Sequence, residues 1–197
     1  SAFQNHKKGN LAIAENLYKK ILKIYPNHIT TQNNLGALLI QKGESDKAMS
    51  PLQKVLQIEP DNVNANENLG IIFKNSIEYQ KAIECHKKIH QIEPMNADAH
   101  NNLGINYKHI GESDLAKSHF HKAVEINPNH VNSHNNLGTV LQKLGEHQKA
   151  KSCYEKAIEI NPNYAIAHYN LGAVFKQLGE LQKAKSCYEK AIEINPN

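Results

Sequence analysis

The side chains that could do chemistry in this sequence are its 12 histidines, three cysteines and a recurring asparagine. His86 and His90 stand one helical turn apart with Cys85 adjacent, a spacing that suits two ligands of one metal ion. No third ligand follows at a suitable spacing, and a closed zinc site needs four. His86 also holds the place that Tyr154 and Tyr188 hold elsewhere, which is a packing place. His100, His134 and His168 recur at intervals of 34 residues, so on stacked helices successive members would lie ~8–10 Å apart, too far to share an ion. No metal site and no cofactor are expected. The sequence contains no G-x-S-x-G, no phosphate-cradling glycine loop and no H-E-x-x-H, so the chain is not expected to be an enzyme.

The asparagines are more informative. Asn34, Asn68, Asn102, Asn136 and Asn170 each stand directly before a Leu-Gly pair. A primary amide offers one acceptor and two donors, enough to pair with the N–H and C=O of a peptide unit at once. On a helix, Asn132, Asn136, Thr139 and Lys143 fall into a stripe spaced 4, 3, 4. That stripe lies ~100° around from the apolar one at 3.6 residues per turn, so the asparagine is not a core residue. Lys74, Lys108, Lys143 and Lys176 stand close to the same stripe and would favour an acidic ligand.

The elements that position these residues follow from a repeat. Alanines 14, 48, 82, 116, 150 and 184 recur every 34 residues, and Pro26, Pro60, Pro94, Pro128, Pro162 and Pro196 close successive units. All 10 glycines fall at two places of the unit. A fixed period in this range marks a solenoid. Residues 1–28 make a partial unit; 29–62, 63–96, 97–130, 131–164 and 165–197 follow, all expected to form one elongated domain. Within 131–164, Ser133, Leu137, Val140, Leu141 and Leu144 share one side of a first helix. Gly145 lies just past its end, where a left-handed residue is wanted. A second helix carries Ala150, Tyr154, Ala157, Ile158 and Ile160, and Pro162 stops it. In the partial unit the second helix is predicted over 11–24, with Ala14, Leu17, Ile21 and Ile24 as its apolar stripe. Gly138 and Ala150 are small because the two helices approach closely there.

Two units deviate. Ile77 replaces the glycine between helices, so that turn must avoid the left-handed region or be strained. Pro51 falls inside a second helix predicted to begin near Asp46, where it removes a backbone hydrogen bond and could kink the first turn.

Composition narrows the partners. The net charge is +4, yet all 23 basic residues are lysine and are interspersed with 19 acids. Without arginine to read bases or clamp phosphates, nucleic-acid binding is not expected. No run of 18 apolar residues is present, so no membrane insertion is expected. Cys85, Cys153 and Cys187 share one place, too far apart for disulfides, and read as buried or half-buried thiols that need no oxidising compartment.

Leu137, Gly138, Leu141, Ala150, Tyr154, Ala157 and Pro162 together resemble the signature of the tetratricopeptide repeat (TPR) family, and the likeness covers the whole chain. It departs where that family often has Trp: here stand Gln32, Asn66, His100, His134 and His168. The resemblance implies an all-α, right-handed solenoid of antiparallel helix pairs and a non-catalytic scaffold that binds a protein or extended peptide. It also implies that the first helices line the concave groove, which puts the asparagines and the four lysines in the groove. The asparagine column is similar to the ladder in the superhelical TPR domain of O-GlcNAc transferase, where such amides hold a peptide backbone. Carboxylate-clamp TPRs match less well, since Asn33, Glu67, Asn101, Asn135 and Tyr169 stand where they carry lysine. A fragment of a larger protein is expected, because the chain starts in mid-helix and its last helix carries Leu181, Ala184, Tyr188 and Ile192 without a cap. Two alternatives stand beside the scaffold. One is a self-assembling module that associates weakly end to end; the other is the recruiting arm of a glycosyl- or sulfotransferase whose catalytic domain lies outside this chain.

Overall fold

A computed structural model describes residues 1–196. It divides into two compact units, Ser1–Pro94 and Met95–Asn197. The first contains α1 (Ala2–Lys7), α2 (Leu11–Ile24), α3 (Ile29–Gln41), α4 (Ser45–Ile58), α5 (Val63–Asn75) and α6 (Tyr79–Ile92). The second contains α7 (Ala97–His109), α8 (Ser113–Ile126), α9 (Val131–Lys143), α10 (His147–Ile160), α11 (Ala165–Gln177) and α12 (Leu181–Ile194). Every described helix keeps the 34-residue phase, and no strand occurs among the described residues. Within each unit, consecutive helices pair (α3 with α4, α9 with α10), and each pair packs on the first helix of the next.

The pairing depends on a missing side chain. A Cβ built on Gly36 would come within 2.5 Å of Leu52, and one on Gly138 within 2.6 Å of Tyr154. Gly70, Gly104 and Gly172 meet His86, Phe120 and Tyr188 in the same way. The second helix thus sinks one side chain directly onto the backbone of the first. The alanine column seals the other side of the crossing, with Ala48, Ala82, Ala116 and Ala150 fully buried.

Each first helix ends in the same hydrogen-bonded turn. Glu146 N–H donates to Leu141 O at 2.9 Å and Gly145 N–H to Gln142 O at 3.0 Å, the two bonds of a Schellman motif. This requires a left-handed residue, and Gly145 has φ +78°. Ile77 makes the same turn with φ +64°, and Glu78 N–H still reaches Phe73 O at 2.8 Å. Of the two outcomes open at that position, the turn is kept and the residue is strained. From α4 on, the second helices start with Glu at the N-cap but no side-chain cap; Glu44, Glu146 and Glu180 instead pair with Lys47, Lys149 and Lys183 one turn on.

Three expectations need correction. Leu144 is the C-cap of α9 and is exposed, and Ile24, the last residue of α2, is also exposed, because both lie beyond the stretch where a neighbouring helix covers the stripe. Tyr18, not Ile24, fills the core of α2. Pro51 sits in the second turn of a helix that runs unbroken over Ser45–Ile58, with its ring buried.

Two predictions follow from this packing. Ile77 is 73% exposed, so Ile77→Gly loses no core contact and relieves a left-handed conformation that costs roughly 1–2 kcal/mol in a residue with a Cβ. After glycine's extra chain entropy, urea denaturation should show a net gain of up to about 1 kcal/mol, whereas Gly145→Ile should destabilise. His86 is buried against Gly70, and desolvation pushes its pKa from 6.5 down to about 4. The unfolded chain takes up a proton below pH 6.5 that the folded chain refuses until about pH 4, so stability falls through that window. The full loss is on the order of 3 kcal/mol. Denaturation midpoints measured from pH 7 to pH 4 should show this slope, and His86→Phe, the residue at the same place as Phe120, should flatten it.

Candidate functional site

The first helices carry the candidate site. All five ladder residues, Asn34, Asn68, Asn102, Asn136 and Asn170, are half-buried at the middle of α3, α5, α7, α9 and α11. Their environment in the second unit is specific. Asn136 Nδ2 donates to Asn101 Oδ1 at 3.0 Å, and Asn170 Nδ2 donates to Asn135 Oδ1 at 3.0 Å. Ser133 Oγ, fully buried, also donates to Asn101 Oδ1 at 3.1 Å. Each of these two rungs therefore bridges to the preceding first helix through one N–H, leaving its own Oδ1 and the second N–H of its amide. In the first unit Asn33 Nδ2 bonds Asn62 Oδ1 at 3.0 Å. The buried acceptors Asn101 and Asn135 were missed as functional positions by sequence reasoning; the visible signal was the Asn-Asn pair before Leu-Gly.

The neighbouring stripe is also tied across repeats. Tyr164 Oη donates to Asn132 Oδ1 at 3.0 Å, and His130 Nε2 lies 3.0 Å from Asp98 Oδ1. Both Tyr164 and His130 are N-cap residues of the following first helix.

The four lysines do not form one column. Lys74, Lys108 and Lys176 share a place with Gln142, and Lys143 lies one residue further on. Lys74 and Lys108 are half-buried, and burial lowers the pKa of the Lys108 ammonium; Lys143 and Lys176 are exposed. Gln142 shows where the shared place points: it accepts from Tyr154 Oη at 3.1 Å and donates to Gln177 Oε1 of the next first helix at 2.9 Å. It faces the seam between repeats. Among the described residues no carboxylate lies within ion-pair distance of any of the four.

The residues standing where Trp is common have their own role. Gln32, Asn66, His134 and His168 donate to the carbonyls of Pro26, Pro60, Pro128 and Pro162 at 2.8, 3.2, 2.8 and 2.9 Å. They clip each first helix to the turn that precedes it. His100 instead meets His119, Nδ1 to Nδ1 at 3.0 Å. Among the described residues no three His, Cys, Asp or Glu side chains converge as metal ligands. Cys85, Cys153 and Cys187 are free thiols, and burial pushes Cys85 and Cys153 up to about 11.

Comparison with known proteins agrees with this architecture. A tetratricopeptide-repeat family model matches residues 95–162 and again 130–197, and a second matches 29–62. The crystal structure of MamA is 30% identical, with a TM-score of 0.73 over 82% of this chain and 95% of that one. YrrB, described as a TPR protein with an unusual peptide-binding site, is 24% identical with a TM-score of 0.71 over 91% and 93%. PilF of Pseudomonas aeruginosa is 23% identical with a TM-score of 0.78 over 85% and 76%. No curated protein matches the chain. The period, the glycine-seated helix pairs and these likenesses meet in one assignment: the chain belongs to the tetratricopeptide-repeat family and is built as a protein–protein interaction scaffold.

Proposed function

We propose that this scaffold, itself non-catalytic, holds an extended polypeptide along its first helices, with the asparagine column gripping the ligand backbone. The observation that carries the reading is the remaining hydrogen-bonding capacity of Asn136 and Asn170. After one N–H is spent on the bridge to Asn101 or Asn135, one acceptor and one donor are left, the pair that a peptide unit needs. The bridge fixes the amide plane, so a ligand would meet a pre-oriented group at little entropic cost. Successive rungs ~8–10 Å apart would meet an extended chain, at ~3.3 Å per residue, about every third residue. Such contacts ignore side chains, so selectivity falls to the variable neighbours, among them Ile105, Thr139 and Ala173. The exposed Lys143, which shares the stripe of Asn132 and Asn136, favours an acidic ligand. The peptide-binding site ascribed to YrrB is in keeping with a ligand of this class.

The test is to select a decapeptide from an immobilised random library with the labelled chain, then measure its affinity for Asn102→Ala, Asn136→Ala, Asn170→Ala and the triple variant. Each rung contributes ~0.5–1.5 kcal/mol net, so affinity should fall about two- to tenfold per rung and stepwise on combination. A triple variant that keeps its helicity and binds the peptide as tightly as the parent would make the ladder purely structural. Asn101→Ala, which releases the bridge but leaves Asn136 in place, should lower affinity less than Asn136→Ala.

A further inference from the structure

Every second helix carries a lysine at the same place: Lys20, Lys54 and Lys88 in the first unit, Lys122, Lys156 and Lys190 in the second. What stands three residues further on differs. In the second unit it is Glu125, Glu159 or Glu193, and each binds its lysine, at 3.1, 2.8 and 2.9 Å. In the first unit the same place holds Lys23, Gln57 and Gln91. Lys20, Lys54 and Lys88 are exposed, and among the described residues no carboxylate lies within ion-pair distance of any of them. One charge column is thus neutralised in the second unit and left open in the first.

The open column borders an apolar groove. Between α2, α3 and α4 lies a space of about 280 Å3, enough for one large apolar side chain. Leu22, Leu35, Leu39 and the buried ring of Pro51 give it an apolar lining, and Lys54 stands beside them. Glu15, the carboxylate of that lining, is already held by Lys19 and Lys42, both at 2.6 Å. The corresponding groove of α10, α11 and α12 repeats the floor with Ile158 and Leu171. Its lysine, Lys190, is taken by Glu193, and Glu155 adds a negative charge. The two grooves share a floor and differ in charge.

Spacing selects the occupant. Equivalent places on successive second helices lie ~8–10 Å apart. A polyproline II segment has three residues per turn and rises ~3.1 Å per residue, so every third side chain points the same way at ~9 Å intervals. A nucleic-acid strand suits the surface less well: the column contains no arginine, and an apolar groove offers nothing to a phosphate.

We propose that the second helices of the first unit dock an acidic, polyproline-like segment of a partner protein, with carboxylates on Lys20, Lys54 and Lys88 and an apolar side chain in the groove between α2 and α4. Its signature is acid, two residues, acid, two residues, acid, with an apolar residue between the first two acids. The surface belongs to the second helices and the asparagine ladder to the first, so this inference survives if the ladder reading fails.

The probe is the fluorescein-labelled peptide Glu-Leu-Pro-Glu-Ser-Pro-Glu, titrated by anisotropy against the full chain at low salt, where surface charges are least screened. Its references carry Gln for each Glu, Ser for Leu, or the three acids in succession. The probe should bind at least about tenfold tighter than the amide reference, the sum of three exposed ion pairs, and at least about threefold tighter than the others. In the chain, Gln57→Glu with Gln91→Glu supplies the carboxylates of the second unit and removes no lysine; it should weaken the probe at least about fivefold. Lys122→Gln with Lys156→Gln, which removes lysines already paired, should change affinity less than about twofold. Equal affinity for the probe and any reference, binding of none, or no effect of the added carboxylates would overturn the inference. So would displacement of the probe by an equal concentration of single-stranded oligothymidylate, which would assign the column to phosphates.

Discussion

Everything in this structure depends on how closely two helices approach at one glycine. With no Cβ at Gly138, the Tyr154 ring lies directly on the first helix, and a methyl group there would overlap it at 2.6 Å. The same seat takes Leu52, His86 or Phe120, side chains that differ in shape and polarity. The constraint is therefore the missing atom on the first helix and not the identity of the ring on the second. Sequence can drift on the receiving side at small cost, as cores tolerate exchanges that keep volume and apolarity. The His86 exchange keeps the volume only, and its imidazole must stay neutral to remain in the seat.

Given that approach, the connections are set by backbone hydrogen bonds. The left-handed residue after each first helix satisfies two carbonyls and turns the chain directly into the second helix. The turn between repeats lacks that device, and a side chain supplies the closure: Gln32, Asn66, His134 or His168 reaches back six residues to a proline carbonyl. Four side chains of three types perform one task because the requirement is a donor at a fixed height above the turn. A Trp at this place fills space; these residues hold the turn by hydrogen bonding. No pattern of hydrophobicity distinguishes the two solutions.

That difference explains what was legible in the sequence. Helix limits, the glycine seat and the αL turn could be read because they recur with identical phase, and periodicity averages over local noise. The direction of a polar side chain could not. Adjacent helical residues differ by ~100° in azimuth, so Lys143 and Lys176, one place apart in the repeat, point differently although both end a first helix. The partners of Asn136 and Asn170 were likewise invisible, because Asn101 and Asn135 lie 35 residues upstream on another helix. At Ile77 the sequence posed two outcomes; the hydrogen bonds from Ile77 and Glu78 decided for strain, since abandoning them would leave the α5 carbonyls unsatisfied.

The amide bridges carry a last consequence for how a scaffold of this kind can evolve ligand contacts. A buried asparagine without a partner would destabilise the seam, and a rung without a fixed plane would have to be ordered by its ligand. Pairing Asn136 with Asn101, and Asn170 with Asn135, meets both demands with one hydrogen bond each. The acceptor is in turn held by Ser133 in the case of Asn101, so the orientation of a surface amide is set from the core outward. Replacing the acceptor, as Tyr169 does, ends the chain of amides and opens an apolar surface in the same step.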